Sequence, residues 1–195
     1  MQNRSSAANR KTKETEISAS LLLEGSGSAK VKTGIGFLDH MLESFTFHGS
    51  FDLEITANGD LHVCPHHTIE DVAIVLGKIF HDCWQQDLAI QRFAHNLIPM
   101  DETLIRTAVD LSGRAHHHFD GYIEGNTVGE FPIEMVKHFF SSFTNNAKIT
   151  LHQSILYGEN AHHKIEGLFK SLGKALKNAI QKETVLTISS VKGSL

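Results

Sequence analysis

Apolar positions along the chain follow two periods. From Val72 they recur at Val75, Leu76, Ile79, Phe80 and Cys83, and from Ile165 at Leu168, Phe169, Leu172, Leu176 and Ala179, the spacing of a helix with one buried face. The stretches Glu16 to Leu22, Phe51 to Thr56 and Leu104 to Leu111 alternate instead, which predicts strands with one face in a core. Glycine-rich breaks at Gly25 to Ser28, Gly34 to Gly36 and Gly125 to Gly129 separate these elements.

The same pattern occurs twice. Aligning His66 to Lys78 (HHTIEDVAIVLGK) with His162 to Lys174 (HHKIEGLFKSLGK) matches 7 of 13 residues at an offset of 96. A second block agrees at an offset of 98: His40 precedes Ser44, Phe45 and Thr46 as His138 precedes Ser142, Phe143 and Thr144. The expectation is an internally duplicated α+β fold, each half a small mixed sheet with helices packed on one face. Residues 1–90 form the first half and 91–195 the second, and together they make one catalytic domain.

Composition narrows the function. With 195 residues, 41% hydrophobic and 21% charged, the chain has the balance of a globular protein. No apolar run approaches the roughly 20 residues that cross a bilayer, and the N-terminal residues lack the apolar stretch of a secretory signal. Only Cys64 and Cys83 are present, which suits a reducing, cytoplasmic setting. A formal charge of −4 without basic blocks beyond the N-terminal residues argues against nucleic acid as a partner. Histidine is the outlier, with 14 copies, doublets at His66/His67 and His162/His163, and a run from His116 to His118.

Each doublet opens a predicted helix, where successive residues turn by about 100° and so point to different sides. One ion per doublet is therefore a poor fit and two ions a better one. Glu70 lies four residues after His66 and three after His67, and Glu166 repeats this after His162 and His163. With the repeat-related His40 and His138, the set comes to six imidazoles and two carboxylates. It divides into two sites of three histidines and one glutamate, each leaving coordination positions open for substrate. Such ligands suit zinc, iron or nickel as readily as manganese. The run His116 to His118 has no carboxylate at helical spacing and no copy in the other half, so it reads as a solvated strand face.

These residues carry a resemblance to the imidazoleglycerol-phosphate dehydratase family of histidine biosynthesis. It spans nearly the whole chain, through TGIGFLDHML (33–42), HHTIEDVAI (66–74), PMDE (99–102), DLSGR (110–114), GENAHHKIEGLFK (158–170) and SSVKG (189–193). The resemblance implies a duplicated fold of the ribosomal protein S5 domain 2-like type and two manganese ions per site. It also implies a symmetric homo-oligomer, a 24-mer, with sites shared between subunits. By position it assigns His40, His67, Glu70 and His163 to one metal, and His66, His138, His162 and Glu166 to the other. It assigns Arg92, Arg114, Lys170, Ser190 and Lys192 to the substrate phosphate, and Glu14 to both substrate binding and acid–base catalysis, with Glu166 as a second catalytic carboxylate. Lys170 has support of its own, four residues after Glu166 where the other copy has Ile74. Departures from the family pattern fall at Cys64, Pro65, Ser189 and Val191.

The implied reaction removes water from imidazole glycerol phosphate to give imidazole acetol phosphate. Its difficulty is a carbon acid beside the ring with no carbonyl to take up charge, so the ring must be the electron sink. Metals holding it as an imidazolate would serve, with a diazafulvene-like intermediate after loss of hydroxide. Two other readings use the same ligands: a dinuclear metallohydrolase acting on a phosphorylated small molecule, and a non-enzymatic metal-dependent assembly module.

Overall fold

The computed structural model describes residues 3–183. The first half runs β1 (Ser5–Lys11), β2 (Thr15–Leu22), β3 (Ala29–Lys32), α1 (Gly36–Gly49), β4 (Asp52–Gly59), α2 (His66–Trp84). The second begins with β5 (Phe93–Met100), β6 (Thr103–Asp110) and β7 (His116–Asp120), adds a short ribbon of β8 (Thr127–Val128) and β9 (Phe131–Pro132), and continues as α3 (Glu134–Ala147), β10 (Thr150–Tyr157) and α4 (Ala161–Ala179). The two sheets have the same topology, β1-β2-β4-β3 and β5-β6-β10-β7, each with one parallel edge pair. The sequence duplication is thus a structural duplication, with β8 and β9 as an addition to the second unit.

The predicted strands all form, β2, β4 and β6 extending or shifting their ends by a residue or a few. Alternation works as expected: Ile17, Ala19 and Leu21 of β2 and Leu53 and Ile55 of β4 point into the core, while their neighbours face out. The outer strands β1, β3, β5 and β7 lack a fully buried residue, and for that reason carry too little apolar signal to be read from sequence.

The four helices form one layer between the sheets, and they pair across the duplication. Helix α1 packs against α4, and α2 against α3, while α2 also covers sheet one and α4 covers sheet two. Each sheet thus has helices on one face, as expected, and the pairing of helices across the duplication is an addition the sequence did not specify. The seam is closed by aromatic residues from both halves: Phe45 of α1 meets Phe143 of α3 at 6.4 Å between ring centres, and Phe143 meets Phe80 of α2 at 5.9 Å. Trp84 at the end of α2 donates its indole N–H to the Ala147 carbonyl that ends α3, at 3.1 Å.

Two glycines set how closely the helices approach. A Cβ on Gly77 of α2 would come within 2.5 Å of the Phe143 carbonyl oxygen, and one on Gly173 of α4 would strike the Phe45 carbonyl of α1. The Leu-Gly-Lys triplet shared by the two copies therefore marks the helix crossings.

Candidate metal centre and active site

Crosswise helix packing decides which histidines meet. Helix α1 carries His40 to the first turn of α4, where the Nε2 atoms of His162 and His40 stand 3.0 and 3.7 Å from Glu166 Oε2. Helix α3 carries His138 to the first turn of α2, where Nε2 of His138 stands 3.1 Å from Glu70 Oε1 and Nε2 of His66 stands 3.7 Å from Glu70 Oε2. In each cluster three ligand atoms lie within 4.8 Å of one another. Two such clusters, His40/His162/Glu166 and His66/His138/Glu70, occur among the described residues.

The donors fit divalent ions. Two imidazoles and a carboxylate converging on one point make a three-ligand set that leaves positions open. The Nε2 of His138 is buried with no hydrogen bond although a carboxylate oxygen is 3.1 Å away, an orphaned lone pair that a cation would satisfy. Burial alone would push the Glu166 carboxyl up, yet Lys170, His162 and His40 together outweigh it and hold Glu166 below the usual carboxylate range. It is therefore ionised and ready to bind a cation.

The second histidine of each doublet turns elsewhere, as the helical rotation requires: the rings of His66 and His67 stand 79° apart in plane and those of His162 and His163 stand 80° apart. Each is gripped through Nδ1 by a carboxylate, His67 by Asp60 at 3.0 Å and His163 by Glu102 at 2.8 Å. A carboxylate on Nδ1 fixes ring orientation and leaves Nε2 to act as a ligand. The Asp60 hydrogen bond, opposed by desolvation and aided by the charges of Asp60, Glu14 and Asp71, raises the His67 pKa; Glu102 acts likewise on His163. Glu102 is itself fixed by the backbone N–H groups of Asn160 and Glu159, at 2.8 and 3.1 Å, and with His163 these hold its carboxyl well below the usual range.

The two doublets are anchored differently. Asn160 caps α4, its side-chain oxygen accepting from the N–H groups of His162 and His163 at 2.9 and 3.2 Å. Helix α2 has Pro65 at that point and no side-chain cap, and Pro65 suits a first turn because its missing N–H would be unpaired there anyway. Asp60, Glu102 and Asn160 were not singled out by sequence reading. The Asn two residues before His162 is a legible cap signal, whereas Asp60 and Glu102 reach their histidines through folding of distant segments.

The remaining predicted residues are spread out. Glu14 is exposed in the β1–β2 turn, where its carbonyl accepts the Asp60 N–H at 3.0 Å, and it lines a cleft of about 310 Å³ with Asp60, Lys11 and Lys13. It thus stands on the His67 side of the molecule. Lys170 is 2.8 Å from Glu166 Oε1 and 3.8 Å from Met100 Sδ, beside the first cluster. Arg92 and Arg114 are at the other end of α4. The Arg92 N–H donates to Ala179, its guanidinium holds Asp110 at 2.7 Å, and its carbonyl accepts from Leu111, shortly before the exposed Arg114. Thirteen residue steps along the helix from Glu166 to Ala179 put that end about 20 Å from the cluster. Ser190 and Lys192, with Ser189 and Val191, lie outside the described residues. The division of ligands that joins His40 to His67, Glu70 and His163 is not formed within one chain.

The run His116 to His118 departs from a uniformly solvated face. His116 and His118 are exposed on β7, but His117 points inward, its Nδ1 2.8 Å from Ser141 Oγ. Burial pushes its pKa down to about 4.

Comparison with known proteins gives one consistent result. The family model for imidazoleglycerol-phosphate dehydratase matches residues 33–176. An imidazoleglycerol-phosphate dehydratase of Clostridium botulinum is 45% identical over 195 residues, covering 100% of both chains. One from Methanosarcina mazei is 47% identical over 98% of this chain and 100% of its own. Among solved structures, the Staphylococcus aureus enzyme superposes with a TM-score of 0.83 at 35% identity, covering 91% of this chain and 99% of its own. The Pyrococcus furiosus enzyme gives 0.81 at 35%, covering 96% and 100%. A model that matches more than half the residues, and relatives matched end to end at this identity, lead to one conclusion: the chain belongs to the imidazoleglycerol-phosphate dehydratase family of carbon–oxygen hydro-lyases.

Proposed function

We propose that the protein removes water from imidazole glycerol phosphate in histidine biosynthesis, using two divalent ions, manganese in the cell, at sites completed between subunits of a homo-oligomer. The observation that carries this is the pair of His/His/Glu clusters, each with ligand atoms within 4.8 Å and each accompanied by a carboxylate-oriented histidine that faces away from it.

His40, His162 and Glu166 would hold one ion and His66, His138 and Glu70 the other. His67 and His163 would each serve a cluster of a neighbouring subunit, which gives each ion three histidines and one glutamate but allots them differently from the two sets the resemblance implies. Bound there, the ions would supply Lewis acidity that helps the azole act as an electron sink. The chain's own residues do the rest. Glu14, an exposed carboxylate on the His67 side, takes the carbon proton. Lys170 attracts the phosphate and at the same time keeps Glu166 ionised. Arg92 and Arg114, about 20 Å from the nearer cluster of their own chain along α4, suit the phosphate of a substrate bound to another subunit. This distance and the outward-facing second histidines are the support for shared sites and for a symmetric assembly.

A dinuclear hydrolase would bridge its metals, often with a shared carboxylate; here each cluster has its own glutamate. The test is an assay of the purified protein with imidazole glycerol phosphate after chelation and after return of manganese, zinc or iron. Metal-dependent formation of imidazole acetol phosphate is expected. Release of inorganic phosphate, or assembly without either reaction, would replace this function with the hydrolase or the assembly module.

A further inference from the structure

The exposed histidines on the outer face of sheet two make up a third group of imidazoles, separate from both clusters. In the parallel pair of β10 with β7, His152 stands opposite His118, and Thr150 opposite His116. His116 and His118 are two residues apart on one strand and so project from the same face. The ring of His152 leans between them, with ring centres 5.7 Å from His116 and 5.3 Å from His118. All three residues are exposed.

Those ring-centre separations are close to what imidazoles sharing an ion require, although the ring nitrogens do not converge within 4.8 Å as they do in the two clusters, so the exposed rings would turn about their side-chain bonds to close on an ion. A ring nitrogen binds at about 2.0–2.1 Å and the ring centre lies about 1.1 Å behind it, so two rings on a tetrahedral ion have centres about 5 Å apart. The candidate catalytic clusters give the same measure, 5.8 Å for His40 with His162 and 5.0 Å for His66 with His138. We propose that His116, His118 and His152 form a surface site for a borderline divalent transition ion, of the zinc, nickel or copper class, distinct from the catalytic metals.

Three imidazoles without a carboxylate favour that class over manganese, magnesium or calcium. The ion would tie β7, the edge strand of sheet two, to β10. One row of the sheet contains its own control. His95 of β5 lies opposite Ala108 of β6, which lies opposite His152. His95 is thus two strands away from His152, about 9.6 Å, too far to join the site.

The test uses the untagged, manganese-loaded protein and nickel as the probe. Equilibrium dialysis followed by metal analysis is expected to show about one more nickel per chain in the wild type than in His152→Asn or His118→Asn. Nickel should also raise the melting temperature more in the wild type than in either variant, and His95→Asn should behave as wild type. Equal nickel uptake by wild type and both variants would overturn the proposal, as would an equal loss in His95→Asn. Dehydratase activity with manganese should be the same in all four proteins, so failure here would leave the catalytic reading untouched.

Discussion

At the scale of single residues, two histidines that adjoin in sequence have different tasks. His66 and His162 join clusters built inside the chain, while His67 and His163 are aimed by Asp60 and Glu102. The helical turn of about 100° made that separation legible in advance, but not the carboxylates that hold the second ring, since Glu102 is 61 residues from His163. Asp60→Asn and Glu102→Gln are expected to weaken manganese binding by about ten- to a hundred-fold while leaving the fold intact. A competition titration with a metal-sensitive dye measures this, and unchanged affinity would remove the orienting role. Glu14→Gln should retain metal and substrate but lower kcat by about a hundred-fold or more. Normal turnover would require a different base. Lys170→Ala should act chiefly on KM, raising it by on the order of ten-fold, since a charge-assisted bond contributes roughly 1.5–3 kcal/mol. An unchanged KM would take Lys170 out of the phosphate site.

At the scale of helices and strands, the apolar stripes of α2 and α4 gave the two long helices and their buried faces directly. What they could not give was partner choice, because a stripe says that a helix is covered and not by which neighbour. Gly77 and Gly173 hold that information: each lies where another helix brings a backbone carbonyl so near that no side chain fits. Gly77→Ala and Gly173→Ala each put a methyl group against backbone that cannot rotate away. Each should destabilise the protein by about 1–3 kcal/mol, the usual cost of overpacking a close contact, read from the midpoint of urea unfolding. A gain in stability from the better helix propensity of alanine would mean that the crossings are looser than described. The same displacement moves His40 or His138, so metal affinity should fall along with stability. Asn160→Ala should cost about 1 kcal/mol through loss of the α4 cap, and α2, started by Pro65, has no equivalent residue to lose.

At the scale of the whole molecule, duplication was legible because identical spacings occur twice, and the sandwich of sheets around helices was not. The strands that decide the outer faces have mixed patterns, and the residues that fill the middle, such as Phe45 and Phe143, are equally apolar in either arrangement. The proposed sharing of His67 and His163 between neighbouring chains would couple metal to assembly. Chelation is therefore expected to reduce the oligomer to smaller species, and manganese to restore it, as followed by light scattering. The melting temperature should rise with manganese concentration, because a ligand bound only by the native state stabilises it by mass action. Retention of full size after complete metal removal would place the subunit contacts elsewhere.

The exchange of helix partners at the seam also bears on where such a protein can come from. Neither unit holds a complete ligand trio: the first has His66 and Glu70 but depends on the other for His138, and the second has His162 and Glu166 but depends on its sibling for His40. A half-length ancestor could have bound these ions only by embracing another copy of itself, and fusing the two genes would have turned an encounter between molecules into a permanent intramolecular one.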